Sequence, residues 1–316
     1  MKKRNFTLNN QKEFASFSGD YNPIHLDKRK STKTHAGQPI VHGVHLALWA
    51  LDVFKIKIRV DTLIDVSFKS QVNLNEDIVA SFDKTKNQIL IMSNNQLKTY
   101  SNIKLRNLDS SKSSKPKNNK IHYQKNNFKP DNLEISKIST SEKNYNLYGG
   151  NKKEIGESLF PFLVNDIGLN IVYELACISS IVGMKVPGKH SLFVGLNLKF
   201  SSIKNLENFF IVDSKHEILK VISISYFGIN LNANIKAFFR PKPSLIKNID
   251  TLKLEYKERI SLKGKKILVI GGSRGIGAYV SKLCSIMGAD VTFTYKFNEQ
   301  DANEISKEVI ENGGLI

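Results

Sequence analysis

The sequence predicts an α+β protein with a short α/β tail, and three observations carry that prediction. Val41–Phe54 and Ile171–Met184 are apolar at almost every position, and each is followed by four runs of strand-like composition. A helix that is apolar all round has to be buried all round, and a curved antiparallel sheet is its natural cover. Beyond residue 262 the texture changes. The apolar run Lys266–Ile270, the glycine-rich turn Gly271–Gly277, an apolar helix over Ala278–Met287, a strand over Asp290–Tyr295 and a helix over Glu299–Glu311 follow in turn. That β-α-β-α order opens a doubly wound nucleotide-binding sheet.

In chain order, Asn9–Phe17 has the spacing of a short helix with Phe14 and Phe17 on one side. It leads into Ser18-Gly-Asp-Tyr-Asn-Pro-Ile-His-Leu-Asp27, where Gly19 and Asn22-Pro23 enforce a turn. Residues 28–38 read as a polar loop. Strands are expected at Leu63–Val72, Asp77–Asp83, Gln88–Ser93 and Lys98–Leu105, and again at Leu192–Phe200, Asn208–Ser214, Glu217–Phe227 and Leu231–Phe239. The two helix-plus-meander units form a weak structural repeat that can pack as a pseudo-dimer. The expected divisions are a first domain over 1–108, a polar linker over 109–150, a second domain over 151–243, a Lys-rich linker over 244–262 and the α/β segment over 263–316.

Composition excludes several classes. Across 316 residues there are 47 Lys and Arg against 29 Asp and Glu, a formal charge of +18. The excess is mostly Lys scattered among Asn and Ser, without the clustered Arg and interleaved aromatics of a nucleic-acid surface, so no nucleic-acid partner is expected. Such a surface suits phosphorylated or acidic partners instead. No apolar run approaches the roughly eighteen residues of a membrane span, and Met1-Lys-Lys-Arg4 lacks the apolar stretch that makes a signal peptide. A cytoplasmic location follows as the expectation, with no membrane partner. Cys177 and Cys284, the two cysteines, are expected as separate reduced thiols.

The chemistry concentrates in the first turn. Asp20 and His25 put a carboxylate and an imidazole five positions apart, a pairing suited to general acid/base work. By spacing alone, Asp20 as a turn cap and His25 as a satisfied backbone partner is the stronger reading. The wider pattern alters that balance: Ser18–Asp27 followed by Gly37-Gln-Pro-Ile-Val-His-Gly43 closely resembles the MaoC-like dehydratases, (R)-specific enoyl-CoA hydratases among them. The resemblance covers roughly residues 6–106. It implies the hot-dog fold, an antiparallel sheet around a central helix, and makes Asp20 and His25 catalytic. These two residues would activate one water for syn addition across the double bond of a trans-2-enoyl thioester, carried on coenzyme A or acyl carrier protein, or run the reverse elimination.

Hydration builds negative charge on the thioester oxygen, and the Gly43 N–H at the start of an apolar helix is the expected donor. Asn22 is expected to position the turn or the water, and His42 to sit against the thioester. His42 and His45 share a helix face, but without a supporting Glu or Cys no metal is expected. A thioesterase using the same pocket and a non-catalytic acyl-thioester binding module are the alternatives.

Ile178-Ser-Ser-Ile-Val-Gly-Met184 and Pro187-Gly-Lys-His-Ser-Leu-Phe193 resemble the second, non-catalytic half of double-hot-dog members of the group. Asn165-Asp166 stands before this helix without a histidine, so the unit is expected to wall the acyl pocket, with Lys189 and His190 in a solvated turn rather than on a coenzyme A phosphate, the alternative for these two. Ile270–Gly277 resembles the nucleotide loop of short-chain dehydrogenases/reductases. The resemblance gives cofactor contacts to Gly271, Ser273, Arg274, Gly275, Ile276 and Gly277, and Arg274 with Lys296 favours NADP over NAD. The family's Ser and Tyr-x-x-x-Lys would lie beyond Ile316, so the segment is expected as a truncated reductase; the hydratase itself needs no cofactor. A homodimer is the assembly left open.

Overall fold

The two long apolar stretches are the helices that the sheet wraps. The computed structural model describes residues 1–107, 114–121, 123–124, 128–148, 152–200, 207–242, 246–256, 261–296 and 299–316. They divide into two compact units, Met1–Ser31 with Gln38–Pro241, and Thr32–Gly37 with Lys242–Ile316.

The first unit opens with β1 (Lys2–Asn5), α1 (Leu8–Ser18), α2 (Pro23–Leu26), α3 (Lys28–Thr32) and the central helix α4 (Gly43–Val53). β2 (Leu63–Phe68), β3 (Asp77–Asp83), β4 (Gln88–Ser93) and β5 (Thr99–Arg106) complete its first half. Then come β6 (Tyr123–Gln124), β7 (Glu142–Asn144), β8 (Leu147–Tyr148), α5 (Lys152–Leu159), α6 (Pro161–Ile167) and the second central helix α7 (Leu169–Ser180). The second half closes with β9 (Ser191–Phe200), β10 (Phe209–His216), β11 (Val221–Phe227) and β12 (Leu231–Phe239).

Nine of these strands and β1 form one ten-stranded sheet, in the order β1-β3-β4-β5-β2-β9-β12-β11-β10-β7. β2 and β9 join the halves, with Ile64 opposite Leu198 and Val66 opposite Leu196. One hydrophobic core runs through both halves, from Phe14, Leu48 and Trp49 to Ile178, Val212 and Ile224. α4 buries every residue from Val44 to Leu51. At roughly 1.5–3 kcal/mol for each large apolar side chain, that burial is what keeps so nonpolar a segment helical and inside. The result is an α+β double hot dog, two helices under one antiparallel sheet.

Three expectations are corrected. The segment 109–150 is no solvated linker: Ile121, Ile135, Ile138, Tyr145 and Leu147 are buried in the core, and β7 pairs with β10. Its apolar residues are sparse but fall where the chain crosses the core. Residues 108–113 and 149–151, where that segment begins and ends, lie outside the described residues. The expected linker 244–262 contains α8 (Ile249–Glu255), anchored through buried Ile249 and Leu252, while 243–245 and 257–260 lie outside the described residues. The polar loop 28–38 begins as α3. Asp27 caps α3, accepting from the Lys30 N–H at 2.9 Å.

The second unit adds β13 (Lys266–Val269), α9 (Gly275–Ile286), β14 (Asp290–Phe293) and α10 (Glu299–Glu311) to α8. β13 and β14 are parallel, joined through α9. Its small core comprises Ile249, Ala278, Ile305 and Val309. Cys177 is buried and Cys284 half-buried, and neither forms a disulfide among the described residues. Among the described residues, no helix is long and apolar enough to cross a membrane.

Candidate active site

α1 delivers the chain to the site. Thr7 and Asn10 cap its start reciprocally, and Gly19, at φ 75°, ends it in the left-handed region that glycine adopts without strain. Asp20 follows at once and is 2% exposed. Its Oδ1 accepts from the Asn22 N–H at 3.1 Å, and its Oδ2 accepts from the Ser179 hydroxyl at 2.6 Å. Burial pushes the Asp20 carboxyl up to about 7 against the opposing hydrogen bonds from Ser179 and Asn22.

Asn22 caps α2 through its side-chain oxygen, which accepts from the Ile24 N–H at 3.2 Å. Its amide group reaches into the second half, donating to the Gly183 carbonyl at 2.8 Å and the Gly188 carbonyl at 3.1 Å. Asn22 thus ties the Gly19–His25 turn to the end of α7.

His25 stands on α2. Its Nδ1 donates to the Ile40 carbonyl at 2.8 Å, which fixes the tautomer and leaves Nε2 with its lone pair available. Burial lowers the His25 imidazole to about 4, with the Ile40 contact opposing and the charge of Arg240 adding to the drop. The ring stacks on His42, centroids 3.7 Å apart and planes 23° from parallel.

His42 does not occupy the substrate-facing place expected of it. It has no exposed surface and lies behind His25. Its Nδ1 faces the Gln11 Oε1 at 2.8 Å and its Nε2 faces the Asp20 carbonyl at 3.0 Å. Burial holds this ring well below the usual histidine range, and neutral His42 can donate to just one of those two oxygens. It supports the site from behind. His45 is likewise buried, stacked on Phe14 with centroids 4.6 Å apart.

Gly43 is the first residue of α4, and no acceptor for its N–H is present among the described residues. A Cβ there would stand 3.0 Å from the Phe68 ring, so glycine lets that ring close over the helix entrance. Asp20, His25 and Gly43 open on one cavity of about 130 Å³. Apolar side chains such as Ile24, Leu46 and Phe68 from the first half and Val182, Leu192 and Phe193 from the second line it, together with polar Lys69, Gln71 and Ser179.

Asp20, His25 and His42 are also a group whose ligand atoms all lie within 4.8 Å of one another. A single cation would need both imidazole planes to pass through it at roughly 2 Å from each nitrogen. Rings stacked 3.7 Å apart and nearly parallel do not converge at that distance. The donor set therefore does not fit a metal ligated by both histidines.

Ser179 is the residue that sequence reasoning missed. It lies 159 positions from Asp20, and its only signal is a Ser-Ser pair inside an apolar helix. The second half also holds Asp166, which is structural: it accepts from the Ile58 N–H at 3.0 Å and pairs with Arg59 at 3.3 Å. Lys189 is exposed as expected of a turn, whereas His190 is buried.

In the second unit the glycine-rich turn has the shape of a cradle. Gly271 and Gly275 have φ of 81° and 53°, and a Cβ on Gly277 would lie 2.2 Å from the Gly271 carbonyl oxygen. Ser273 is buried and Ile276 exposed. Arg274, assigned to a cofactor phosphate by resemblance, donates to the Thr32 carbonyl. Lys296 lies three residues past β14.

Two sheet-wrapped helices, with a carboxylate and an imidazole at the entrance of the first, define a hot-dog protein. Residues 1–104 match the MaoC-like domain family, and this part of the chain is a MaoC-like domain. The fold extends further. A MaoC-domain dehydratase structure from Chloroflexus aurantiacus covers 77% of this chain and 94% of its own, at 6% identity and a TM-score of 0.50. In Bacillus subtilis (strain 168), General stress protein 39 is 42% identical over 59 residues, 19% of this chain and 21% of that protein. The uncharacterized oxidoreductase YhxD of the same strain is 38% identical over 97 residues, 27% of this chain and 32% of that protein. The chain thus spans about a fifth and about a third of the length of these two curated relatives.

Proposed function

We propose that the first unit is a hydro-lyase that reversibly hydrates 2-enoyl thioesters to 3-hydroxyacyl thioesters, with Asp20 and His25 as the acid/base pair. The observation that carries this reading is convergence: carboxylate, imidazole and an unpaired helix N-terminus meet in one cavity with apolar walls on both sides. The environments also reverse the usual titration order, raising Asp20 to about 7 and lowering His25 to about 4. Near neutrality the carboxyl holds a proton in a large share of molecules while the imidazole is free to take one.

In the hydration direction a water lies between the two groups. His25 Nε2 removes a proton as the water oxygen bonds to C3, and the π electrons shift to leave an enolate on the thioester oxygen. The Gly43 N–H and the α4 dipole stabilise that oxygen. Asp20 gives its proton to C2 on the same face, and His25 returns the water's proton to Asp20. The acyl chain lies along Phe68, Val182 and Phe193, and the basic surface receives an acidic carrier, coenzyme A or acyl carrier protein.

For the second unit we propose dinucleotide binding, with the Gly271–Gly277 turn and the start of α9 against the pyrophosphate. The close approach at Gly277 supports it, and one Bacillus subtilis relative is named an oxidoreductase. NADP would supply a hydride acceptor or donor there. Arg274 and Lys296 are the cations proposed to meet a 2′-phosphate, as in NADP.

The test is direct assay of the purified protein with a short trans-2-enoyl-CoA, following loss of the conjugated thioester and release of free thiol separately. Hydration without thiol release is expected. Asp20→Asn and His25→Ala should each lower kcat by about 10²–10⁴-fold while leaving thioester affinity within a few-fold. Wild-type turnover in both variants, or thiol release as the main product, overturns the assignment.

A further inference from the structure

Arg240 follows β12 and is 3% exposed, yet no carboxylate lies within ion-pair distance of it among the described residues. A buried guanidinium without a counter-ion is costly, and one that persists has to be held by other acceptors. Two backbone carbonyls hold the side chain, and the carbonyl between them takes the Arg240 backbone N–H. Arg240 Nε donates to the Ser191 carbonyl at 2.8 Å, the guanidinium NH2 group to the Lys189 carbonyl at 3.0 Å, and the backbone N–H to the His190 carbonyl at 2.7 Å. The whole side chain serves to fix the strap Gly188–Ser191.

That strap also receives Asn22. The Asn22 amide donates to the Gly188 carbonyl at 3.1 Å and lies 3.5 Å from the Lys189 carbonyl and from the Ser191 hydroxyl. Asn22 in turn caps α2, the single turn of helix that carries His25. We propose that Arg240, from the second half, is a positioning residue for His25, acting through the 188–191 strap and Asn22.

This inference rests on the acid/base role given to His25 above. The titratable and charged groups around His25 are Asp20 from the same turn, His42 stacked from α4 and Lys69 in the wall of the same cavity after β2, while Arg240 acts on it through its charge. Asp20 favours the imidazolium when ionised; His42 is held neutral by burial, and Lys69 and Arg240 oppose the imidazolium. Arg240 is the one of the two cations that is buried, and its charge therefore acts with little solvent screening.

The experiment compares Arg240→Met and Arg240→Lys with the intact chain. His25 is titrated by NMR of its ring carbon-bound protons, without substrate, and hydration of a short enoyl-CoA is measured in parallel. Arg240→Met should raise the His25 pKa and lower kcat by about tenfold or more at nearly constant KM. Arg240→Lys keeps the charge but loses one of the two side-chain hydrogen bonds, so it should restore the His25 titration and only part of kcat. If Arg240→Met does not fold, Arg240→Lys decides: wild-type kcat in that variant overturns the clamp. An unchanged His25 titration in folded Arg240→Met overturns the electrostatic part. The titration needs no substrate, so its outcome stands apart from a failure of the hydratase assignment itself.

Discussion

At the scale of the residue, Asp20 is the group on which both pH-dependent stability and the proposed chemistry turn. Its carboxyl is raised to about 7, primarily by burial, so the folded state binds a proton between pH 4 and 7 that the unfolded chain has released. Stability from this group is fully present below about pH 4 and is lost as pH rises through 7. His25 acts in the opposite sense, because its depressed pKa makes unfolding take up a proton between about 4 and 6.5. Asp20→Asn keeps the size of the side chain and removes the buried charge. The variant should melt a few degrees above wild type at pH 8 and near wild type at pH 5. Thermal melts at the two pH values check this, and a lower melting temperature for Asp20→Asn at pH 8 contradicts it. The same substitution removes the proton that the proposed reaction delivers to C2, so stabilisation and loss of turnover are expected together.

At the scale of the element, the second half contributes a helix end. α7 passes from its last α-helical residues into a single π turn, Ile181–Lys185, the kind of irregularity that re-aims backbone near a site. Ser179 and Gly183 face Asp20 from either side of that change. A Cβ on Gly183 would fall 2.2 Å from Asp20 Oδ1 and 2.6 Å from its Cγ, while the Gly183 carbonyl accepts from Asn22. Gly183→Ala therefore has no accommodation except by moving the carboxylate or the helix. A loss of about 1–3 kcal/mol in stability and of at least about tenfold in kcat is expected, read by urea unfolding and the enoyl-CoA assay. Full turnover in Gly183→Ala would show that Asp20 is not held where the reaction needs it.

At the scale of the whole molecule, the sequence disclosed what is local and concealed what is long-range. The turn Gly19–His25 and the two apolar helices could be read from neighbouring residues, because glycine conformation, helix capping and all-round apolarity are properties of a short window. The segment 109–150 could not, since its few apolar residues acquire meaning only against a surface made by the rest of the chain. Ser179, Arg240 and the short strand β1 share that limitation. Most consequential is the β2–β9 pairing, which makes one sheet and one core of two units that look separable in sequence.

A chain ending at residue 107 would bare the β2 edge and the face of α4 that packs against α7. It has two outcomes, aggregation or self-pairing of two copies along β2. In the second case the site would still lack Ser179, the Gly183 carbonyl and the 188–191 strap. Size-exclusion chromatography of residues 1–107 should show no folded monomer, and hydration per site should fall at least tenfold below the intact chain, roughly the cost of mispositioning an acid/base pair. Co-production of residues 114–242 should recover part of that activity by supplying β9 and α7. A monomeric, fully active first half would mean that the second half is only a wall. The geometry around Asp20 instead makes it part of the site.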